Sequence, residues 1–296
     1  MNDRTVIITG ANAGLGLECA RSILERDESW HVVLAVRDPR RGEAAVTELG
    51  ATQRCTVMRC DLGSLASVGE FVEAFAAAGL PPLHAVVCNA GLQVVDGTQR
   101  TADGVEMTFG VNHLGHFALV RGLLEHLEAP ARIVVVSSGT HDPAKFTGMP
   151  KPVYTSAEDL AHPSTPGEGR RLYTTSKLCN VLFAYELDRR LEQGARGITV
   201  TAFDPGLMPG SGLAREYGPL LKFVWDYVFP VLRVLPNVNS ARGSGRRLAA
   251  LAVDTSFEGV TGAYFEGAKA IRSSEDSYDA TKALDLWTTS EQLVGS

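Results

Sequence analysis

The chain opens with a strand that runs directly into a glycine-rich turn and then into a helix. No other stretch constrains the fold as strongly. Arg4 to Thr9 holds Thr5-Val6-Ile7-Ile8-Thr9, a β-branched run of strand length. Gly10-Ala11-Asn12-Ala13-Gly14-Leu15-Gly16 follows, and Leu17, Ala20, Ile23 and Leu24 then recur at helical spacing. Glycines in such a turn let the backbone approach a pyrophosphate, and the N-terminus of the next helix favours its charge. Gly10, Asn12, Ala13, Gly14, Leu15 and Gly16 therefore form a candidate dinucleotide cradle. The spacing is G-x-x-x-G-x-G, which differs from the commoner G-x-G-x-x-G.

Strands and helices alternate along the remainder. His31–Val36, Cys55–Arg59, Leu83–Cys88, Ile133–Val136, Ile198–Phe203 and Gly262–Phe265 read as further strands. Helical patterns cover Arg40–Leu49, Leu65–Ala78 with Ser64 as cap, two stretches in series within Thr101–Leu127, the run after Tyr173, Ser240–Val253 and Ser277–Leu293. This order predicts an α/β fold, a doubly wound parallel sheet of Rossmann type. With neither repeats nor a linker, residues 1–296 read as a single domain.

Enzymes that select NAD place an acid near the end of the second strand to hold the ribose hydroxyls. Here Val36 is followed by Arg37, with Arg40 and Arg41 just beyond. Arg37 and Arg41 can pair with a 2′-phosphate, so NADPH/NADP+ is the expected cofactor. Asp61-Leu62 ends the third strand and can face the adenine.

Tyr173-Thr174-Thr175-Ser176-Lys177 lies at the start of a buried-helix pattern. Residues four apart share a helix face, so the Tyr173 hydroxyl and the Lys177 ammonium project into one space. A cation held near a phenol lowers its pKa, which makes a tyrosine competent as a general acid or base.

Composition narrows the rest. A net charge of -6 with no basic run argues against a nucleic-acid partner. The five cysteines, Cys19, Cys55, Cys60, Cys88 and Cys179, form no C-x-x-C and no zinc-type spacing. They read as reduced packing residues of a cytoplasmic protein without a metal site. The N-terminus enters a strand at once, so no signal peptide is expected, and no apolar run is of membrane-spanning length.

T-G-A-N-A-G-L-G, N-A-G at Asn89-Ala90-Gly91, V-N-H-L-G-H-F from Val111, V-S-S ending at Ser138, Y-T-T-S-K and P-G at Pro205-Gly206 occur in order at the ends of the expected elements. In these motifs the chain resembles the short-chain dehydrogenases/reductases over nearly its full length. S-K-L-C-N, D-L-G-S-L and L-W-T-T-S-E-Q-L-V-G resemble the protochlorophyllide reductase and retinol dehydrogenase branch. The resemblance implies that Tyr173 exchanges a proton with the substrate oxygen and that Lys177 holds the nicotinamide ribose and lowers the Tyr173 pKa. It implies that Ser138 hydrogen-bonds the substrate oxygen. Asn112 would bend its helix and hold a water in a proton relay to Lys177. Asn89, Ala90 and Gly91 would line the cofactor channel, and Pro205 and Gly206 would flank the nicotinamide.

There are two departures from the family pattern. Gly139 to Leu172 is a long, proline-bearing excursion near the site mouth, in which His141 and Tyr154 read as local packing or as substrate contacts. Protochlorophyllide reductases carry a cysteine after P-G, where this chain has Leu207. The stretch of about 207–237 is unusually apolar, with Phe223, Val224, Trp225, Tyr227, Val228 and Phe229. It fits a small lid over an apolar ligand, the favoured reading. A homo-oligomer contact or a membrane patch would also suit it. The chain thus reads as an NADPH-dependent oxidoreductase acting on a carbonyl or alcohol of a bulky apolar molecule. The alternatives are an NADP(H)-binding sensor or scaffold without turnover and a protochlorophyllide-type double-bond reductase.

Overall fold

A computed structural model describes residues 3–94, 99–165, 167–192, 197–206 and 239–295. The expected lid at about 207–237, with Leu207, lies outside the described residues. Eight strands form one sheet in the order β3-β2-β1-β4-β5-β6-β7-β8. They are β1 Arg4–Thr9, β2 Trp30–Val36, β3 Cys55–Arg59, β4 Leu83–Cys88, β5 Leu127–Val136, β6 Ile198–Asp204, β7 Ala263–Glu266 and β8 Lys269–Ile271. All neighbours pair parallel except the β7–β8 edge, which is antiparallel.

The central strands are apolar along their whole length because both sheet faces are covered. Val6, Ile8, Val32, Leu34, Val87, Val134 and Phe203 point to one side, against helices α1 Gly14–Arg26, α2 Pro39–Leu49 and α7 Ala241–Val253. Ile7, Val33, Val86, Ile133, Val135 and Val200 point to the other. There they meet α3 Leu65–Ala77, α4, α6 Gly169–Glu192 and α8 Ala280–Val294. Helix α4 comprises Met107–Phe109, a wider turn Gly110–Leu114 and Gly115–Leu123. The order reverses between β1 and β4, and at such a switch point the loops diverge and leave a crevice beyond the strand ends.

The differences from the sequence reading have local causes. Strand β5 starts at Leu127, well before Ile133: Leu127 pairs with Leu83 ahead of a register shift, so the polar Glu128-Ala129-Pro130 stretch belongs to the strand. Helix α4 starts at Met107 because the buried Glu106 carboxylate accepts from Thr108 N at 2.9 Å and Phe109 N at 2.7 Å, capping it there. Helix α8 starts at Ala280, capped by Asp279 through Thr281 N and Lys282 N. Strand β8 and the short helix α5 Ala157–Ala161 are too brief to leave a periodic signal. Among the described residues no helix is long and apolar enough to cross a membrane.

Candidate functional site

The glycine turn is built by backbone contact. Gly10 adopts φ 65°, a left-handed conformation that glycine tolerates at little cost. At Gly16 a Cβ would lie 2.5 Å from Asn89 Nδ2 and 2.7 Å from the Gly10 carbonyl, so no side chain fits. Asn89 Nδ2 donates to the Thr9 carbonyl at 2.8 Å. The Thr9 hydroxyl accepts from Asn89 N and Ala90 N, each at 2.9 Å. The ends of β1 and β4 are thereby laced together. Helix α1 then begins at Gly14, where a Cβ would meet nothing within 4 Å. Ala13 offers no side-chain cap, and the first turn carries no acid. The leading N–H groups of α1 are thus available to an anion, and the Asn12-Ala13-Gly14 edge is at least partly exposed while Leu15 and Gly16 are buried.

At the end of β2, Val36 is buried, whereas Arg37, Arg40 and Arg41 are exposed. Asp38 is used as the α2 cap, accepting from Arg40 N at 3.1 Å. The guanidinium groups of Arg37 and Arg41 have no ion-pair partner among the described residues, which suits a phosphate. Asp61 accepts from Gly63 N at 3.0 Å and so shapes its own turn. Leu62 is wedged against α4, where a Cβ on Gly115 would come within 2.4 Å of the Leu62 carbonyl.

Tyr173 and Lys177 sit one turn apart on α6, both buried, with Nζ 5.6 Å from the Tyr173 ring centroid. Lys177 Nζ donates to the Val136 carbonyl at 3.3 Å, and Asn180 Nδ2 donates to the same oxygen at 2.9 Å. The Ser137 hydroxyl donates to the Lys177 carbonyl at 2.7 Å, which ties α6 to the end of β5. Burial pushes the Lys177 pKa down to about 8, and the nearby Asp204 opposes that shift. Asp204 is itself raised by burial. A Cβ on Gly91 would lie 3.4 Å from both Lys177 Nζ and Asn112 Oδ1, so Gly91 floors the space beside the ammonium.

Ser138 is half-buried at the start of the turn Gly139–His141, and its Oγ accepts from Thr140 N at 3.3 Å. That long bond is the strand-end cap; the hydroxyl proton remains for a second partner. Asn112 lies in the Gly110–Leu114 turn, where Gly115 N reaches back five residues to the Gly110 carbonyl. Single π-turns of this kind recur at functional sites. The Asn112 amide is committed: Oδ1 accepts from Leu92 N at 2.8 Å, and Nδ2 donates to the Leu92 carbonyl and the Ser176 hydroxyl, each at 2.9 Å. Pro205 and Gly206 are fixed to α7, since the Ser244 hydroxyl donates to the Pro205 carbonyl at 2.7 Å. Gly206 takes φ 75° and donates from its N–H to Asp204 Oδ1 at 2.9 Å.

His141 and Tyr154 are packing residues. His141 is fully buried, with Nδ1 2.7 Å from the Ser138 carbonyl and Nε2 accepting from Ser274 N at 3.1 Å. The Tyr154 hydroxyl bonds Asp285 at 2.7 Å, and burial drives its pKa upward. Cys179 is fully buried and its pKa is likewise raised by burial. His116 and Asp204 were missed in the sequence reading; both lie inside quoted or adjacent motifs, V-N-H-L-G-H-F and D-P-G, but their partners are distant in sequence.

Comparison with known proteins agrees with this architecture. The short chain dehydrogenase family profile matches residues 4–157. A protochlorophyllide reductase of Avena sativa is 37% identical over 318 aligned positions, covering 98% of this chain and 99% of the relative. The WW domain-containing oxidoreductase of Homo sapiens is 35% identical, covering 98% of this chain and 68% of the relative. Among solved structures, an uncharacterised protein of Mycobacterium Paratuberculosis superposes with a TM-score of 0.72 at 32% identity, covering 99% of this chain and 94% of that one. A blue fluorescent protein from a metagenomic library, solved with NADPH, superposes with a TM-score of 0.67 at 23% identity, covering 91% and 99%.

Proposed function

The chain belongs to the short-chain dehydrogenase family, and from that premise we propose that it is an NADPH-dependent oxidoreductase acting on a carbonyl or alcohol of a bulky, mainly apolar molecule. The observation that carries this reading is the buried Lys177 ammonium beside the Tyr173 ring, with no carboxylate paired to it among the described residues. A desolvated cation is costly and is retained where it does work, here one helical turn from the Tyr173 ring.

The cofactor, when bound, supplies or accepts hydride at its nicotinamide. The protein's part is positioning and proton transfer. The α1 N-terminus takes the pyrophosphate, and Arg37 with Arg41 takes the 2′-phosphate. Gly91 leaves room beside Lys177, whose ammonium would hold the ribose hydroxyls, and the Pro205-Gly206 turn would flank the nicotinamide. The Ser138 hydroxyl donates to the substrate oxygen, and the Tyr173 hydroxyl passes its proton to that oxygen during reduction. Asn112 continues the proton path from Lys177 toward water. The NADPH complex of the blue fluorescent protein and the unpaired arginines support the choice of cofactor.

A second reading is favoured by the relatives named protochlorophyllide reductase, which align with 98% of the chain. In that reading the same site reduces a pigment double bond. Assaying NADPH consumption with aldehydes, ketones and protochlorophyllide, each in darkness and under illumination, separates the two. Dark consumption with a carbonyl supports the proposal; light-dependent pigment reduction alone overturns it in favour of the second reading. Tight NADPH binding without consumption of any acceptor returns a sensor or scaffold.

A further inference from the structure

His116 is a buried residue of α4 packed against the end of β1, and it bonds a group on each of these elements. Its Nδ1 lies 3.1 Å from the main-chain carbonyl of Asn112, and its Nε2 lies 2.8 Å from the Thr9 hydroxyl. A carbonyl can only accept, so Nδ1 carries the proton. Nε2 is then an acceptor, and the Thr9 hydroxyl donates to it. The alternative acceptor for that hydroxyl, the Val87 carbonyl, is 3.4 Å away, too long to compete. Both Thr9 lone pairs are filled by Asn89 N and Ala90 N. Every donor and acceptor in the chain is therefore assigned, and only one tautomer satisfies it. Burial, with a smaller push from Lys177, lowers the His116 pKa to about 4, so the ring stays neutral at working pH.

We infer that His116 is a positioning residue that ties the Asn112 carbonyl, through the Thr9 hydroxyl, to the strand-end lattice under the glycine turn. Both Asn112 Nδ2 donors are used by Leu92 and Ser176 and Oδ1 accepts from Leu92 N, so the main-chain carbonyl is a further acceptor that this residue offers. His116 takes one lone pair of that oxygen and leaves the other to the proton path. The carbonyl sits in the Gly110–Leu114 π-turn, where a five-residue bond interrupts the regular helical ladder, and the imidazole adds a restraint from a side chain. The cofactor cradle and the Lys177 pocket are thus held at a set spacing by one neutral ring. The inference rests on the proton-transfer role proposed above.

Three substitutions and one spectroscopic measurement test it. His116→Phe removes both bonds. His116→Asn keeps a donor for the Asn112 carbonyl and loses Thr9; His116→Gln reaches Thr9 and loses the carbonyl. With NADPH and a carbonyl that the wild type turns over, His116→Phe, His116→Asn and His116→Gln should each lose about 10- to 100-fold in kcat, a cost typical of a misplaced site, because each breaks at least one end of the tie. The KM for NADPH should change by no more than about 2-fold in all three, because the phosphate contacts are untouched. If His116→Phe does not fold, the Asn and Gln pair still decides. The cofactor-free wild type should show His116 as the Nδ1–H tautomer by ring-nitrogen NMR, without titration between about pH 5.5 and 8. An Nε2–H ring, a ring that titrates in that range, or a kcat within about 3-fold of wild type for either His116→Asn or His116→Gln would each overturn the inference. A wild type inert toward every acceptor overturns the functional reading instead, while the NMR result still decides the bonding of His116.

Discussion

The two sides of the crevice are held together by different means. On the nucleotide side, from β1 to β4, the turn is shaped by close approach to the backbone: Gly16 packs against the Gly10 carbonyl, and the Asn89 side-chain amide donates to the Thr9 carbonyl. On the substrate side, from Ser137 onward, side chains span long distances in sequence. His141 joins Ser138 to Ser274, Tyr154 joins the excursion to Asp285, and Lys145 pairs with Glu266. The first arrangement is broken by adding an atom and the second by removing one. The first combines a contact within the turn with a strand-end lattice about eighty residues apart in sequence, whereas the second depends on pairings more than a hundred residues apart.

The largest effect should come from the first side. Gly16→Ala forces a methyl into backbone and should cost roughly 1–3 kcal/mol of stability, as overpacking does. NADPH affinity should fall more than about 100-fold, because the turn can no longer present α1 to the pyrophosphate. Calorimetric titration and thermal melting read both, and unimpaired NADPH binding would break the comparison. On the second side, His141→Phe strands the buried Ser274 N–H, while the Ser138 carbonyl keeps only the His141 main-chain N–H at 3.0 Å. It should cost about 2–3 kcal/mol in urea unfolding, yet leave the NADPH dissociation constant within about 2-fold. A comparable loss of cofactor affinity would show that the two sides are not separable.

Smaller effects sharpen the same division. Arg37→Ala should weaken NADPH by about 10- to 100-fold, the value of a charge-assisted phosphate contact, and leave NADH unchanged. Equal affinities for the two cofactors in the wild type would remove Arg37 from the site. Burial lowers the Lys177 pKa to about 8, so between that pH and its ordinary value the unfolded chain binds a proton that the folded chain has released. Stability relative to Lys177→Met should therefore rise, by about 1–2 kcal/mol, as pH climbs from about 8 to 9.5. A flat difference would mean the ammonium is better compensated than its burial implies.

Much of this was legible in the sequence because it is local. The β-branched runs, the glycine turn and the Tyr173–Lys177 spacing each report on residues within one or two turns of one another. The exposed Arg37 and buried Val36 could be anticipated from the order of residues at one strand end. The rest depended on partners that periodicity cannot pair. His116 is visible in V-N-H-L-G-H-F, but nothing near it reveals that Thr9 lies 2.8 Å away across 107 residues. Asp204 reads as the residue before a turn, and only the stacking of β5, β6 and β7 brings it within electrostatic reach of Lys177 and Lys145. Strand β8 and the Leu127 end of β5 were hidden for a different reason. Strand β8 is only three residues long, and the Glu128-Ala129-Pro130 stretch is poor in strand formers; pairing with a neighbouring strand defines both.

The most direct test is Tyr173→Phe, measured twice on the same preparation: NADPH affinity by fluorescence titration, and turnover with a carbonyl that the wild type reduces. The ring and α6 survive this change and only the hydroxyl is lost. Affinity should stay within about 3-fold while turnover falls by about 100- to 10,000-fold, the span of a lost general acid. Turnover close to wild type would contradict the assignment of Tyr173 as the proton donor.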